Sequence, residues 1–232
     1  MAAIPSAPVL ASVVYSQDNS SISINNCVAA GMCTTQQQSS TSLSPFSATI
    51  TGTQASATET SSITGNSISV SEQATSNAQF ASTAASDFSV QINVTVPTNF
   101  TFSAGQSAGG PSVVLIFGDS DGGAVNLSLV GPGTDITGGV FSHAGENQYL
   151  LPFTEEAGIL QPGTYTFTLD ANTSGLPSAV LGDTNLDSAS ADITLNLSPV
   201  PLPSSLFLLL PALGAILIPT VRRRPKSAVA HL

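Results

Sequence analysis

The chain has 232 residues, 41% of them hydrophobic, which is enough to bury the core of one domain. Only 8% are charged, against roughly 25% in ordinary soluble domains, and Ser and Thr together make up about a quarter. All 4 basic residues lie after position 221, and all 14 carboxylates lie before it. Because carboxylates without cations repel phosphate backbones, this composition argues against a nucleic-acid partner and is untypical of a cytosolic protein.

The first residues carry only part of an export signal. Residues 1 to 11 lack a positively charged start and are interrupted by Pro, but Val9 and Ala11 supply the small residues of a cleavage site. We hypothesise that residues 1 to 11 are the remnant of a signal peptide whose beginning is encoded upstream of Met1. Residues 12 to 198 then form the exported domain, with a first strand at its start.

The two cysteines, Cys27 and Cys33, are separated by five residues that include Gly31. This span predicts a small disulfide, which would form in an oxidising compartment. A pair of free, partly exposed thiols is the alternative. A metal site is disfavoured, because no His or second Cys pair lies nearby to complete a tetrahedral set of ligands.

Residues 34 to 87 are dominated by Ser, Thr, Ala and Gln. Stretches such as residues 47 to 53 and 67 to 72 are rich in Thr and β-branched residues, which predicts long strands with polar outer faces. Residues 34 to 44 are predicted to be a mobile loop. A flexible linker is the competing interpretation of the whole segment, but such linkers are richer in Gly and Pro.

From residue 88 onward, apolar and polar residues alternate. Residues 88 to 96 alternate strictly, with the period of a half-buried strand. The alternation recurs at residues 125 to 129, 165 to 169 and 193 to 197, each close to Gly, Pro, Asn or Asp. Residues 113 to 117 form a continuous apolar run, which is typical of a central strand. The sequence therefore predicts an all-β fold, a β-sandwich or jelly-roll-like domain.

Candidate residues for chemistry are few. Asp183, Asn185 and Asp187 alternate like the first ligands of a calcium loop, so a structural Ca²⁺ is one interpretation. The Gly and Glu that complete such a loop are missing, and a polar turn is the alternative. Nucleophilic catalysis needs a His beside a Ser or Cys, and His143 is the one His of the presumed domain. We therefore expect no enzymatic activity, no catalytic residues and no cofactor beyond this Ca²⁺.

The C-terminal segment is the most informative part of the chain. Residues 200 to 221 contain no charge and are followed at once by three arginines and Lys226. About 20 helical residues at roughly 1.5 Å each reach across the hydrocarbon core of a bilayer, which predicts a transmembrane helix at residues 204 to 221. The positive-inside rule keeps the arginines cytoplasmic and places the domain outside. A buried core helix is the alternative.

This arrangement resembles the PEP-CTERM sorting signal, which combines a short Pro-containing motif, an apolar helix and a basic cluster. The resemblance covers residues 199 to 226, with residues 227 to 232 as a tail, and Leu202 stands where the name-giving motif has Glu. Residues 158 to 169 also resemble the hairpin-and-strand ending of jelly-roll domains that carry this tail. The resemblance implies processing by an exosortase at the inner membrane of a Gram-negative bacterium. The residues that it assigns to sorting are Val200, Pro201, Leu202, Pro203, Arg222, Arg223 and Arg224.

The sequence thus predicts a non-catalytic exported protein of the cell envelope, with a structural or adhesive role in an exopolysaccharide or biofilm matrix. Its expected partners are exosortase and the membrane during sorting, and exopolysaccharide afterwards. The alternative is a carbohydrate-binding module of the jelly-roll type. Such modules stack sugars on aromatic rings, and this chain has no Trp and only 3 Tyr, which favours the structural role.

Overall fold

β-Strands make up most of the residues that the computed structural model describes, which are 13–29, 31–77, 82–109, 122–143, 146–151, 155–174 and 186–201. The chain divides into one unit at Met1–Pro199 and a second at Val200–Leu232. The predicted signal remnant, the apolar run at residues 113 to 117 and the predicted helix at residues 204 to 221 lie outside the described residues. Within the described ranges, no helix is long and apolar enough to cross a membrane.

Thirteen strands follow one another along the described part of the chain. Their bounds are β1 (Val13–Ala29), β2 (Met32–Ser40), β3 (Phe46–Thr51), β4 (Ala55–Ile63), β5 (Ser67–Asn77), β6 (Thr83–Val94), β7 (Thr98–Gly109), β8 (Gly122–Gly131), β9 (Thr134–His143), β10 (Glu146–Leu151), β11 (Glu155–Leu160), β12 (Gly163–Ser174) and β13 (Leu186–Pro199).

The strands form two antiparallel sheets that pack as a sandwich. Sheet A has seven strands in the order β10-β9-β8-β12-β6-β1-β2, and sheet B has six in the order β11-β7-β13-β5-β4-β3. Every second side chain of a central strand is buried between the sheets, as β6 shows from Ala84 to Val94. The structure confirms the predicted all-β sandwich. It also confirms strands, rather than a linker, through most of residues 46 to 77.

Apolar side chains from both sheets fill the interior. Phe167 on β12 makes edge-to-face contacts with Phe88 on β6 and with Phe102 on β7, at ring-centroid distances of 6.0 and 6.1 Å. Each such contact contributes about 0.5–1.5 kcal/mol beyond the area it buries. Because Phe102 belongs to sheet B and the other two rings to sheet A, the three rings join the two layers.

The mobile loop predicted at residues 34 to 44 is wrong for most of its length, because β2 extends to Ser40. Every side chain of β2 is exposed except that of Ser40, which is half-buried, so the strand has no alternation of burial. Antiparallel pairing with β1 holds it at the end of sheet A. An edge strand needs a backbone partner on one side only, and polar residues provide that pairing as well as apolar ones do.

The hairpin that the resemblance at residues 158 to 169 implies is not formed. β11 pairs with β7 in sheet B, whereas β12 pairs with β6 and β8 in sheet A. The step from Pro162 to Gly163 therefore carries the chain from one sheet to the other. Turn residues mark the change of direction, but they do not determine which strand becomes the neighbour.

Tyr165 fixes this crossing between the sheets. Its hydroxyl hydrogen is shared between the backbone carbonyl oxygens of Gln161 at 2.9 Å and Pro132 at 3.1 Å. A Cβ added to Gly131 would lie 2.2 Å from Cδ1 of the tyrosine ring, so glycine leaves room for the ring. Gly133, with φ of 69°, supplies the left-handed residue that follows Pro in a type II turn. A tyrosine hydroxyl bonded back to nearby backbone is the geometry of a tyrosine corner.

Candidate functional site

The interior of the sandwich contains three carboxyl groups, which we call the inner acidic cluster: Asp18 on β1, Glu59 on β4 and Glu72 on β5. Glu59 and Glu72 are direct register partners in the ladder between β4 and β5. Their side chains are 0% and 2% exposed, and that of Asp18 is 4% exposed. The sequence has no Lys or Arg before position 222, so the sandwich has no such side chain to neutralise them.

Serine hydroxyls lie beside the cluster. Ser20 on β1 and Ser61 on β4 form a hydrogen bond of 3.3 Å with each other across the two sheets. Among the described residues, none is in hydrogen-bond geometry with either carboxyl oxygen of Glu59 or of Glu72. Charging a buried carboxyl group without a partner costs about several kcal/mol, so this environment favours the neutral, protonated form.

Burial raises the pKa of every member of the inner acidic cluster. It brings the pKa of Glu59 to about 7 and that of Asp18 to about 6, although the nearby Ser20 hydroxyl favours the charged form of both. The pKa of Glu72 lies well above its ordinary value, first because of burial and then because of the negative charge of Glu59. The folded chain therefore carries less negative charge at neutral pH than its formal value of -10.

Two further carboxyl groups lie side by side on the outer face of sheet A. Asp87 on β6 and Asp170 on β12 are direct register partners, and both are half-buried. Burial, and then the charge of Asp87, raises the pKa of Asp170 to about 6. Burial also raises the pKa of Asp87, against a 3.4 Å hydrogen bond that the Ser21 hydroxyl donates to it. Two like charges at such a position disfavour full ionisation of the pair.

The chemistry open to the inner acidic cluster is the binding of protons. A general acid or base must come within hydrogen-bond reach of its substrate, and side chains as buried as Glu59 and Glu72 offer no such access. Within the described ranges, no group of three or more His, Cys, Asp and Glu side chains is arranged to hold a metal ion. The charge of the cluster, and with it the stability of the sandwich, therefore depends on pH.

Of the three residues predicted to open a calcium loop, the structure describes Asp187; Asp183 and Asn185 lie outside the described residues. Asp187 is the second residue of β13 and the register partner of Ser76 on β5. Its side chain is fully buried, which differs from the polar turn or loop that the sequence pattern suggested. The calcium site stays a prediction.

Cys27 and Cys33 form a disulfide, with their Cα atoms 4.0 Å apart. They are direct register partners in the ladder between β1 and β2. The N–H of Cys27 donates a 3.1 Å hydrogen bond to the hydroxyl of Ser82, next to the start of β6. The disulfide thus ties the exposed strand β2 to a buried part of sheet A.

Tyr165 offers no platform for stacking sugars. Tyr165 is fully buried and its hydroxyl is bonded to backbone carbonyls. Tyr15 is half-buried, and burial raises its pKa to about 12. The side chain of Tyr149 lies outside the described residues. Tyr165 therefore has no aromatic face open to a ligand.

Rows of hydroxyl groups cross the outer face of sheet B. One row consists of Ser62, Ser69, Thr194 and Ser103, which are register partners on β4, β5, β13 and β7. This row lines a groove of about 460 Å³, together with the carboxyl group of Asp192. Neighbouring strands lie roughly 4.8 Å apart, so the row offers donors and acceptors at regular intervals.

Comparisons with known proteins add nothing to this geometry. No family model matches the chain, and no curated protein or solved structure matches it.

Two residues of the predicted sorting motif are described. β13 ends at Pro199, and Val200 and Pro201 follow it outside any strand. Val200 is half-buried and Pro201 is exposed. The other residues assigned to sorting lie outside the described residues; they are Leu202, Pro203, Arg222, Arg223 and Arg224.

Sequence reasoning missed the inner acidic cluster, although strand alternation contains the signal for it. In β4, Ala57 is inward and Glu59 is the next inward position. In β5, Ile68 and Val70 are inward and Glu72 is next. Extending the period of two along each strand places both carboxyl groups inside the sandwich.

Proposed function

We propose that this chain is a non-catalytic exported protein with a structural or adhesive role at the cell surface or in the extracellular matrix. A jelly-roll-like sandwich precedes a single transmembrane helix at residues 204 to 221. The sandwich lies outside the inner membrane and the arginines stay cytoplasmic until an exosortase-type enzyme processes the tail. Exopolysaccharide is the expected surrounding material.

One observation carries this proposal, namely where the sandwich ends. β13 ends at Pro199, directly before Val200 and the motif that resembles the sorting signal. β13 is a central strand of sheet B that pairs with both β5 and β7 through most of its length. A cut beyond Pro201 would leave every described strand and its pairing intact. Processing at the motif is therefore compatible with release of a folded sandwich.

The outer faces of the sheets support a structural or adhesive role. The hydroxyl row on sheet B has a counterpart on sheet A, where Ser128 and Thr168 form a 2.6 Å hydrogen bond between register partners. Short hydroxyl side chains can both donate and accept hydrogen bonds and lose little conformational freedom on contact. Such faces suit many weak contacts with a hydroxyl-rich polymer.

The test of sorting uses the native host. Intact mass and cell fractionation should compare the wild-type protein with a variant in which Pro201 and Pro203 are replaced by Ala. Ser198→Ala, an exposed change just upstream in β13, is the matched control. The wild-type and control proteins should end near Pro203 and appear outside the inner membrane, while the motif variant keeps its tail. An unprocessed wild-type chain ending at Leu232 would refute the assignment.

A second candidate, a carbohydrate-binding module, is favoured by the groove on sheet B. Its hydroxyl row and Asp192 could hydrogen-bond a glycan, although the buried Tyr165 contributes no stacking surface. Polysaccharide pull-down with Asp192→Asn and with Asp135→Asn, an exposed carboxyl on β9 as control, separates the two functions. Saturable glycan binding that weakens only with Asp192→Asn would replace the structural role by the binding role.

A further inference from the structure

The outer edge of β2 has no strand beside it among the described residues. β2 is the last strand of sheet A, and its described neighbour is β1. Its pairing is regular from Cys33 to Ser40, and the register irregularity lies between Cys27 and Ala29 of β1. A strand in this position presents a row of N–H and C=O groups that can pair with another chain.

The Cα–Cα distance across the disulfide identifies which backbone groups of β2 point away from β1. The Cα atoms of Cys27 and Cys33 are 4.0 Å apart, which matches the close, non-hydrogen-bonded type of antiparallel pair. The two types alternate along a ladder, so Thr34, Gln36 and Gln38 bond to β1. The N–H and C=O groups that point away from β1 belong to Cys33, Thr35, Gln37 and Ser39.

This edge lacks the features that normally prevent edge-to-edge pairing. Residues 19 to 58 contain no Asp, Glu, Lys or Arg, a stretch that covers all of β2 and β3 and most of β1. At the other ends of the two sheets, β10 begins with Glu146 and β11 begins with two glutamates. Charges, prolines and bulges are the usual protection of an edge strand, and β2 from Cys33 onward has none of them.

We propose that the outer edge of β2 pairs with the same edge of a second copy of this chain, antiparallel about a twofold axis opposite Gln36. That register places Cys33 opposite Ser39 and Thr35 opposite Gln37 of the other copy. All outward backbone groups then find partners, which gives about eight hydrogen bonds between the copies. The two facing Gln36 side chains can also hydrogen-bond to each other.

The charge distribution favours contact between copies at the end of the sheets that contains β2 and β3. Each chain has a formal net charge of -10, so two copies repel wherever carboxylates face each other. The uncharged stretch from residue 19 to 58 is where close approach meets least repulsion. The association goes beyond the export and matrix role and does not depend on it.

The experiment is sedimentation equilibrium of the full-length chain in a mild detergent, which accommodates the apolar residues 204 to 221. Gln37→Lys adds a charge to the outer edge, and the two new charges would lie diagonally across the twofold axis, on the same face of the joined sheet. Gln73→Lys makes the same change at an exposed position in the middle of sheet B and is the matched control. Gln37→Pro removes an outward N–H without removing a hydrogen bond to β1, so the sandwich should still fold.

We expect reversible dimers of the wild-type chain. Gln37→Lys and Gln37→Pro should weaken the dimer by at least about tenfold, whereas Gln73→Lys leaves it unchanged. High salt should strengthen the wild-type dimer, because it screens the repulsion between acidic copies.

A wild-type chain that stays monomeric overturns the proposal, as does equal weakening by the Gln37 and Gln73 variants. Slow amide exchange of Thr35 and Gln37 in a monomer would mean that another part of the same chain covers the edge, and would also overturn it. Tail processing in the host is measured separately, so failure of either proposal is recognised without the other.

Discussion

Glu59→Gln should stabilise the protein at alkaline pH and have little effect in acid. The variant keeps a side chain of similar shape, which can donate and accept hydrogen bonds but cannot ionise. Because the folded-state pKa of Glu59 lies above its ordinary value, the stability linked to this group is fully present below that ordinary value. It is lost as the pH rises through the folded-state pKa.

The magnitude follows from the two pKa values. Burial raises the pKa of Glu59 from 4.5 to about 7. Each pKa unit corresponds to about 1.4 kcal/mol, so ionisation of Glu59 removes up to about 3 kcal/mol of unfolding free energy across this pH range. The variant does not lose this free energy, because its Gln side chain cannot ionise. It should match the wild type at about pH 4 and exceed it by up to about 3 kcal/mol at about pH 8.

Urea unfolding followed by circular dichroism, repeated from acid to alkaline pH, measures this difference. Glu156→Gln on β11, which changes an exposed carboxyl group, is the control and should follow the wild-type pH profile. If Glu59→Gln changes stability by the same amount at every pH, burial of an ionisable group is not the cause. If it destabilises the protein most strongly at alkaline pH, the assigned direction of the pKa shift is wrong.

Three further substitutions test other parts of the sandwich. Replacing Cys27 and Cys33 by Ser should lower the free energy of unfolding by about 2 kcal/mol relative to the oxidised wild type, measured by urea unfolding. The difference should vanish when the wild type is measured under reducing conditions. Tyr165→Phe leaves two carbonyl groups without their hydroxyl donor and should cost about 1 kcal/mol in thermal unfolding. Gly131→Ala forces a Cβ against the Tyr165 ring and should cost about 1–3 kcal/mol, whereas Gly65→Ala, which meets no atom within 4 Å, should not.

The sequence predicted the central strands well, because burial on one face imposes a period of two. Residues 88 to 94 alternate between buried and partly exposed positions as the pattern indicated. β2 escaped prediction, since a strand exposed on both faces has no such alternation. Its existence depends on pairing with β1 and on the disulfide, which are contacts between segments. The hairpin implied at residues 158 to 169 was wrong for the same reason, because strands that are distant in sequence decide which sheet β11 and β12 join.

The candidate site, like the fold, could be predicted from the sequence only in part. Cys27 and Cys33 are close in sequence, so their pairing could be inferred from spacing. The inner acidic cluster brings together Asp18, Glu59 and Glu72 from three strands. No local sequence motif predicts that these side chains lie close together. The buried position of Asp187 likewise follows from its place in β13 and not from the Asx pattern around it.

Because Lys and Arg occur only in the last eleven positions, they also determine where trypsin-like proteases can cut this protein. Trypsin cleaves after Lys and Arg, so even the unfolded sandwich offers it no bond to cut before Arg222. Resistance to such proteases is therefore a property of composition and does not require the fold. Peptide mapping with trypsin would leave the whole sandwich as one large fragment. To obtain short peptides from the sandwich for detection in a mixture, a protease that cleaves beside carboxylates or aromatic residues is needed.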